Sequence, residues 1–393
     1  MRAVTGPKVL HVCTVDVSLT LLLGPQLRAV AEAGYDVITA SADGDSVAEL
    51  RSWGLPHRRL EHATRAFRPD EDLRLARELY WLFRSEQPDI VHTHTPKPGW
   101  FGRPAARLAR VPAVVNTVHG LWASGEDSVL KRTLVYGLER AAGACSDAEL
   151  VQNPEDLATM GRLRFPGRKL HLLGNGVDLV RFDPGRVGPG ARAQLRQSWG
   201  VRPDDVVFGI VARLVAEKGY LELFDAMEGV RRQRGDVVLV VVGPHDDDKK
   251  DALPAGVITR AEAAGVRFLG LRHDVEDLYS AFDAFVLPSW REGFPRAAME
   301  AAAMGLPIIA TDVRGCRQVC DPGGNGVLVP LRSPAALADA IVALAVDPAR
   351  RARMGLASRA KALSEFDDRR CVEVTLEVYR RLLDRSNARW TPA

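Results

Sequence analysis

Short apolar runs alternate with longer amphipathic stretches along almost the whole chain. A short apolar run predicts a buried strand, and an amphipathic stretch with a period near 3.6 residues predicts a helix. The predicted strands cover residues 8–13, 36–40, 90–92, 113–117, 149–152, 206–211, 237–242, 266–268, 284–287 and 307–310. The predicted helices cover residues 24–33, 70–86, 103–109, 220–232, 275–280, 334–345 and 368–384. This alternation is typical of βαβ units and parallel sheets.

A stretch rich in glycine and proline, residues 183–190, interrupts the alternation near the middle of the chain. Such a composition is typical of a linker, and 393 residues exceed what one compact core usually holds. We therefore predict two doubly wound, Rossmann-like α/β domains that face each other across a cleft. Residues 1–184 form the N-terminal domain, completed by the last helix (about 368–393); 185–199 form the linker and 200–367 the C-terminal domain. Ligands are expected beyond the carboxyl ends of the strands.

Composition and charge narrow the class of protein. Hydrophobic residues make up 46% and charged residues 26% of the chain, as in soluble globular proteins. The net charge of +3 argues against a dedicated nucleic-acid binder. No apolar window is long enough to span a bilayer, and the first residues lack a signal-peptide core. The five cysteines are odd in number and scattered, so we expect a cytoplasmic, reduced protein.

Two glutamates bracket a turn and a short helix after one of the predicted strands. Glu292 precedes the turn Gly293-Phe294-Pro295, and Glu300 lies within the helix that follows. Proline favours the first position of a helix, so the turn leads directly into it. The backbone N–H groups of the turn are then available to an electron-rich ligand. Spacing alone does not distinguish this arrangement from two surface glutamates.

A basic loop follows the first predicted strand of the C-terminal domain. Arg213 and Lys218 lie there, and Gly219 opens the next helix. Fixed positive charge beside a helix N-terminus suits a diphosphate. Gly243 ends the next strand, where the lack of a side chain would let a nucleotide approach closely. The alternative for the two cations is ordinary solvation.

Several of these elements occur in an order that resembles the family 4 retaining nucleotide-sugar glycosyltransferases, which have the GT-B fold. They are Asn175-Gly176-Val177-Asp178, Arg213, Lys218, Gly243 and the Glu292/Glu300 pair. The likeness covers nearly the whole chain, and residues 289–296 and 311–317 are similar to members that extend lipid-linked oligosaccharides or capsular glycans. Two positions depart from the pattern: residues 18–25 lack the Gly-Gly pair of many members, and Gln318 stands where close relatives tend to have Glu.

The resemblance implies a role for each of these residues. Arg213 and Lys218 would bind the donor diphosphate and stabilise the leaving group, so that no metal is required. Glu292 and the N–H groups of the turn would hold hydroxyls of the transferred sugar, and Glu300 would bind the ribose hydroxyls. The catalytic set is His119, Arg213, Lys218 and Glu292, and the donor-binding set is Gly243, Gly293, Phe294, Pro295 and Glu300.

Polar residues follow two neighbouring strands of the N-terminal domain. His119 lies where the family has a histidine close to the donor sugar, and the alternative is a loop histidine satisfied by its neighbours. His92 and His94 resemble a pair of metal ligands, but a third ligand is missing, so we expect neither a metal nor a cofactor. Lys97 follows them at a position suited to an anionic acceptor.

Basic and aromatic residues cluster in two stretches of the same domain. Arg103, Arg107 and Arg110 are spaced for one helical face. The second stretch carries Arg65, Arg68, Arg74, Arg77, Tyr80, Trp81 and Phe83. Each set is either solvated or in contact with an anionic membrane or lipid diphosphate. Lys97, Arg103 and Arg107 are our candidate acceptor-binding residues, and the charge run at 246–250 is expected to be solvated.

The expected reaction moves a hexose or N-acetylhexosamine from a nucleotide sugar, by resemblance a UDP-sugar, to an acceptor hydroxyl with retention. A covalent route would need a carboxylate beneath the anomeric carbon, and the family pattern places neither Glu292 nor Glu300 there. We therefore expect same-face attack, with the leaving diphosphate taking the proton of the acceptor.

Three functions stay open at this point. The first is transfer to a lipid-linked or polysaccharide glycan, with peripheral contact at the inner face of the membrane. The second is the same chemistry on a small soluble metabolite, such as a secondary-metabolite or thiol precursor. The third is a nucleotide-sugar-binding protein without transfer activity, and an epimerase of the same fold is comparably remote. No nucleic-acid partner is expected.

Overall fold

The structure is a computed structural model that describes residues 6–123, 125, 127–188, 190–245 and 251–390, with side chains described up to residue 385. The charge run at 246–250 lies outside the described residues. The chain divides into two compact units. Met1–Gly174 and Asp368–Ala393 form the first unit, and Asn175–Asp367 form the second.

Strands and helices alternate in both units. The strands are β1 (Lys8–Val15), β2 (Asp36–Ala42), β3 (His57–Arg59), β4 (Ile90–His94), β5 (Ala113–Val118), β6 (Ala148–Val151), β7 (Leu170–Leu172), β8 (Val206–Val211), β9 (Val237–Val242), β10 (Arg267–Phe268), β11 (Ala284–Leu287), β12 (Ile308–Thr311) and β13 (Gly326–Val329). The helices are α1 (Gly24–Glu32), α2 (Val47–Ser52), α3 (Pro69–Glu86), α4 (Arg103–Leu108), α5 (Val129–Gly143), α6 (Pro154–Arg162), α7 (Ala191–Ser198), α8 (Tyr220–Gln233), α9 (Ala255–Ala263), α10 (Val275–Ser280), α11 (Arg296–Ala303), α12 (Pro334–Ala345), α13 (Pro348–Glu365) and α14 (Asp368–Trp390).

The first unit is built on a parallel sheet in the order β3-β2-β1-β4-β5-β6-β7. Side chains alternate between its two faces, so Val9 belongs to one hydrophobic core and Leu10 to the other. The last helix, α14, covers the Val9 face with a fully buried Tyr379, and Gln26 of α1 donates a hydrogen bond to Thr375 at 2.8 Å. The end of the chain therefore completes the core of the first unit.

The second unit is built on a parallel sheet in the order β10-β9-β8-β11-β12-β13. Its strand β9 reads VVLVVV because helices bury both faces of the sheet: α8 and α12 on one side, α10 and α11 on the other. Residues 185–199 belong to this unit as well. They contain α7, whose buried Arg196 pairs with Asp283 at 2.6 Å.

The two sheets confirm the predicted fold class of doubly wound parallel domains. All ten predicted strands are present, and β3, β7 and β13 are additional. In each sheet the strand order reverses beside the first strand, between β1 and β4 and between β8 and β11. Ligands of such sheets bind outside the carboxyl ends of the strands at this reversal. The loops after β4, β5, β8 and β11 therefore lie where a ligand of each sheet would bind.

Candidate active site

In the second unit, the ends of β8 and β9 are held in direct backbone contact at Gly243. This residue has φ +147°, and a Cβ there would lie 2.0 Å from the carbonyl oxygen of Ala212. Only glycine permits both the torsion and the approach. The contact fixes Arg213 at the carboxyl end of the sheet, where its half-exposed guanidinium lies 3.8 Å from Glu217.

The loop that carries Lys218 is held against the loop that carries Glu292. Their side chains form an ion pair at 2.6 Å, and both are largely buried. The N–H of Trp290 donates to the carbonyl of Glu217 at 2.8 Å. A Cβ on Gly219 would lie 2.0 Å from the carbonyl oxygen of Pro288, so only a glycine lets the two loops meet. The structure thus brings together two candidate residues that the sequence assigned to different parts of a ligand.

The turn Gly293-Phe294-Pro295 is held from the far side by Asn175. The side-chain amide of Asn175 donates to the carbonyl of Phe294 at 3.2 Å, and the Phe294 ring packs edge-to-face on Phe366. Helix α11 begins at Arg296, one residue later than the sequence suggests. Asn175 is thereby given a structural role that its motif alone does not reveal.

Glu300 lies on the buried side of α11. Tyr279 approaches one of its carboxylate oxygens at 3.0 Å, and Arg296 donates to the other at 3.2 Å. Burial raises the pKa of Glu300, and the two hydrogen-bonding partners oppose that shift only in part. Tyr279 was missed by sequence reasoning, because a tyrosine in an amphipathic helix reads as ordinary core.

In the first unit, four polar side chains share the face of the sheet that α14 covers. β1 pairs with β4 so that His11 lies beside His92, and β4 pairs with β5 so that His94 lies beside Thr117. Side chains two residues apart on a strand share a face, so the register alone gathers them. The expectation that His92 and His94 have no third potential metal ligand beside them was wrong. Ring nitrogens of His11, His92 and His94 lie within 4.8 Å of one another.

These side chains form a continuous hydrogen-bonded chain with Tyr379 of α14. His92 contacts Thr117 through Nε2 at 2.7 Å and the Tyr379 hydroxyl through Nδ1 at 2.5 Å. The Tyr379 oxygen lies 3.4 Å from His11 Nε2, and His11 Nδ1 lies 3.0 Å from His94 Nε2. All six ring nitrogens of the three histidines have a hydrogen-bonding partner, because His94 Nδ1 contacts His119.

The chain ends at His119, directly after β5. His94 Nδ1 lies 3.1 Å from His119 Nε2. His119 also lines a cavity of about 270 Å³ together with Trp100 and Trp122. Burial lowers the pKa of His119 to about 4, so the imidazole is neutral at physiological pH. This is the position at which the sequence placed a sugar-binding histidine.

The basic helical face expected from Arg103, Arg107 and Arg110 is not formed. Arg103 is completely buried and donates to Glu139 at 2.6 Å and to Glu149 at 2.7 Å. The turn before α4 directs it inward, because its Nε donates to the carbonyl of Gly99. Arg103 thereby neutralises two carboxylates in the interior of the first unit.

Lys97 and Arg107 are also engaged internally. Lys97 is 3% exposed, pairs with Asp72 at 2.5 Å and donates to the carbonyl of Ala66. Arg107 pairs with Asp147 at 2.5 Å. Contact of Lys97, Arg103 and Arg107 with an acceptor stays a prediction, and these ion pairs do not favour it.

Two family models match the chain. The model described as Glycosyltransferase Family 4 matches residues 26–181, and the model described as Glycosyl transferases group 1 matches residues 205–347. EpsD of Bacillus subtilis (strain 168), a glycosyltransferase by its name, is 30% identical over 387 residues, which are 96% of this chain and 97% of EpsD.

The chain is also similar to an enzyme of Escherichia coli and to a crystal structure from Anabaena. The UDP-Gal:alpha-D-GlcNAc-diphosphoundecaprenol alpha-1,3-galactosyltransferase of Escherichia coli is 32% identical over 282 residues, 70% of this chain and 71% of that enzyme. The crystal structure of Anabaena Alr3699/HepE in complex with UDP covers 97% of this chain and 100% of its own, with a TM-score of 0.77 and 21% identity. The latter shows that the fold is GT-B.

Acidification is expected to destabilise the first unit. Burial lowers the pKa of His11 to about 3 and that of His92 and His94 well below the ordinary value. The unfolded chain takes up a proton on each below about pH 6.5 while the folded chain does not. Stability is therefore full above that pH and falls as the pH approaches the folded pKa. Between pH 7 and pH 5, His11 alone should cost roughly 2 kcal/mol.

Hydrogen exchange of the amides in β1 and β4, compared at pH 7 and pH 5 with correction for intrinsic rates, measures this loss. His11→Asn should reduce the pH dependence by one histidine's share. His273→Asn removes an exposed histidine and should leave the dependence unchanged. An opening free energy in β1 that does not vary over this pH range would contradict the expectation.

The contact at Gly243 is expected to be intolerant of a side chain. Gly243→Ala should lower the free energy of unfolding of the second unit by on the order of 1–3 kcal/mol, because the torsion and the collision with Ala212 both oppose a Cβ. Gly256→Ala is the matched control: it lies in α9 with no atom within 4 Å of the added carbon. Urea unfolding compares the two, and equal stabilities would contradict the constraint.

Proposed function

The chain belongs to the family 4 glycosyltransferases, and from this premise we propose that it is a retaining, metal-independent hexosyltransferase. It would move a hexose or N-acetylhexosamine from a UDP-sugar to a hydroxyl of a lipid-linked or polysaccharide glycan. One observation carries the proposal. Arg213, Lys218, Glu292 and the Gly293-Phe294-Pro295 turn converge at the carboxyl ends of β8 and β11 through contacts that only glycine allows.

The cations suit the diphosphate of the donor. Arg213 is half-exposed and carries a permanent charge, so it can pair with a phosphate in a bidentate manner. Lys218 uses one of its three N–H groups on Glu292, which leaves two for phosphate oxygens. Two fixed charges can take over the neutralisation that a magnesium ion provides in other phosphate sites.

The carboxylates suit hydroxyl groups. The ion pair with Lys218 orients Glu292, so that its second oxygen and the N–H groups of the turn can hold the transferred sugar. Glu300 has Arg296 on one oxygen and Tyr279 on the other, and its remaining lone pairs can accept from ribose hydroxyls. His119, which follows β5, stays a candidate for a hydrogen bond to a sugar hydroxyl.

The chemistry then requires no protein nucleophile. The acceptor oxygen attacks the anomeric carbon on the face that the leaving group departs from. The bond from that carbon to the β-phosphate oxygen breaks, the new glycosidic bond forms, and the acceptor's proton passes to the departing phosphate. Arg213 and Lys218 stabilise the negative charge that develops on the diphosphate, which is where electrostatic catalysis has most effect.

An exposed apolar face on α5 supports a membrane-associated acceptor. Leu130, Leu134 and Leu138 follow one another at a spacing of four residues, and Leu130 is 81% exposed. Arg132 and Arg140 lie on the same helix, which suits an anionic lipid surface. Among the described residues, no helix is long and apolar enough to cross a membrane. We propose that α5 rests on the inner face of the membrane, which would place a cytoplasmic enzyme beside lipid-linked acceptors.

The donor assignment predicts slow hydrolysis of one UDP-sugar when no acceptor is present. UDP release from a panel of nucleotide sugars identifies it, and EDTA should not change the rate. Arg213→Ala should lower kcat/KM for that sugar by about 10- to 150-fold, since one charged phosphate contact is worth roughly 1.5–3 kcal/mol. Arg232→Ala removes an exposed arginine of the same unit and should have no effect.

Unchanged turnover in Arg213→Ala would contradict the diphosphate role. Tight UDP binding without turnover of any sugar would instead support a binding protein without transfer activity.

The membrane assignment predicts that the intact chain sediments with vesicles that contain about one-third anionic lipid. Replacing Leu130, Leu134 and Leu138 by Gln should reduce the bound fraction by about tenfold or more, because each exposed leucine can bury apolar area worth over 1 kcal/mol. Leu356→Gln combined with Leu363→Gln removes exposed leucines of α13 as a control. Equal sedimentation of both variants would favour a small soluble acceptor.

A further inference from the structure

The directions of the hydrogen bonds between the buried histidines of the first unit depend on which nitrogen of each ring carries its proton. A neutral imidazole has one N–H and one bare nitrogen, so each ring in a chain must donate at one end and accept at the other. Burial keeps His11, His92, His94 and His119 neutral. The direction of any one hydrogen bond therefore decides the direction of all the others.

Two arrangements satisfy every contact and also use the tyrosine proton in one of these contacts. In one, each ring carries its proton on Nε2: His119 donates to His94, His94 to His11, His11 to the oxygen of Tyr379, and the tyrosine hydroxyl to His92. In the other, each ring carries it on Nδ1 and every bond is reversed. The two arrangements leave opposite chemistry at the open end, because the outer nitrogen Nδ1 of His119 is bare in the first and protonated in the second.

Tyr379 decides between them. Its oxygen lies 2.5 Å from His92 Nδ1 but 3.4 Å from His11 Nε2. A phenol is a stronger donor than an imidazole N–H, so its proton belongs in the short contact. His92 Nε2 then donates to Thr117 at 2.7 Å. At the far end, no described residue meets His119 Nδ1 with full hydrogen-bond geometry, and a side-chain interaction with Gln152 raises the pKa of the ring slightly against the lowering by burial.

We propose that Tyr379, His11 and His94 are positioning residues that hold His119 as the Nε2–H tautomer, with Nδ1 presented as a bare acceptor for a sugar hydroxyl. The hydroxyl would donate to this nitrogen, which a protonated or Nδ1–H imidazole could not accept. The identity of the hydroxyl rests on the proposed function, whereas the tautomer does not. A residue on the last helix of the chain thus sets the hydrogen-bonding character of a residue that it does not touch.

The test reads the tautomers directly. Long-range 1H–15N correlation spectra of the intact chain, labelled with 15N-histidine, distinguish Nδ1–H from Nε2–H rings at pH 7.5. His11, His92, His94 and His119 should all be neutral Nε2–H rings, assigned by single His→Gln replacements. Zinc analysis of the same sample should give no stoichiometric metal.

Tyr379→Phe removes the hydroxyl and keeps the ring that fills the core. With the deciding bond lost, the Nε2–H population of His119 should fall from about nine-tenths to roughly one-half, as expected for the loss of about 1.4 kcal/mol of bias. Tyr35→Phe is the matched control, because Tyr35 packs edge-to-face on Tyr379 at 5.6 Å and lies outside the chain of bonds. It should leave the His119 tautomer unchanged.

A second variant covers the case in which Tyr379→Phe does not fold. Thr117→Val removes the acceptor for His92 at the other end of the chain and should shift His119 in the same direction, to a smaller extent. An Nδ1–H tautomer of His119 in the wild type, an unaltered tautomer in the folded variants, or zinc bound at His11, His92 and His94 would each overturn the proposal. Because none of these readouts needs turnover, they are separable from a failure of the proposed reaction.

Discussion

Close backbone contacts at glycine carry the candidate site of the second unit. At Gly219 and Gly243 a Cβ would lie 2.0 Å from a neighbouring carbonyl oxygen, and at Gly315 it would lie 2.6 Å from that of Glu292. These approaches bring loops from different strands within reach of one another. Without them, the ends of β8, β9 and β11 could not present Arg213, Lys218 and Glu292 at one place. The ion pair between Lys218 and Glu292 can form because these close backbone contacts hold the two loops together.

The three candidate acceptor-binding residues of the first unit all form ion pairs within that unit. Lys97, Arg103 and Arg107 all neutralise carboxylates of the first unit, and Arg103 does so in complete burial. A buried charge must be paired, and the pairing removes it from the surface that a ligand can meet. The exposed leucines of α5 are not consumed in this way and remain at the surface.

The sequence supports the fold more fully than the site. Continuous apolar runs such as β9 could be recognised because parallel strands are buried on both faces, whereas β3, which reads His57-Arg58-Arg59, has no such pattern. The Glu292–Glu300 element was recognisable because Pro295 marks the start of its helix. The partners were not: Tyr279 and Asn175 reach it only through tertiary contacts. In the same way, His11 joins His92 and His94 only through the register of β1 on β4, which local spacing does not encode.

The position of α14 has a consequence for the order of folding. Tyr379 of α14 packs over the buried histidines and contacts His92. All strands of this unit lie before Gly174. During synthesis the chain emerges from its N-terminus, so those strands appear long before the helix that covers them. The residues of the second unit are contiguous from Asn175 to Asp367, so its folding does not depend on a helix that is made much later. The later-made half of this protein can thus reach its final form before the earlier half, and the synthesis of α14 becomes the step that seals the histidines from water.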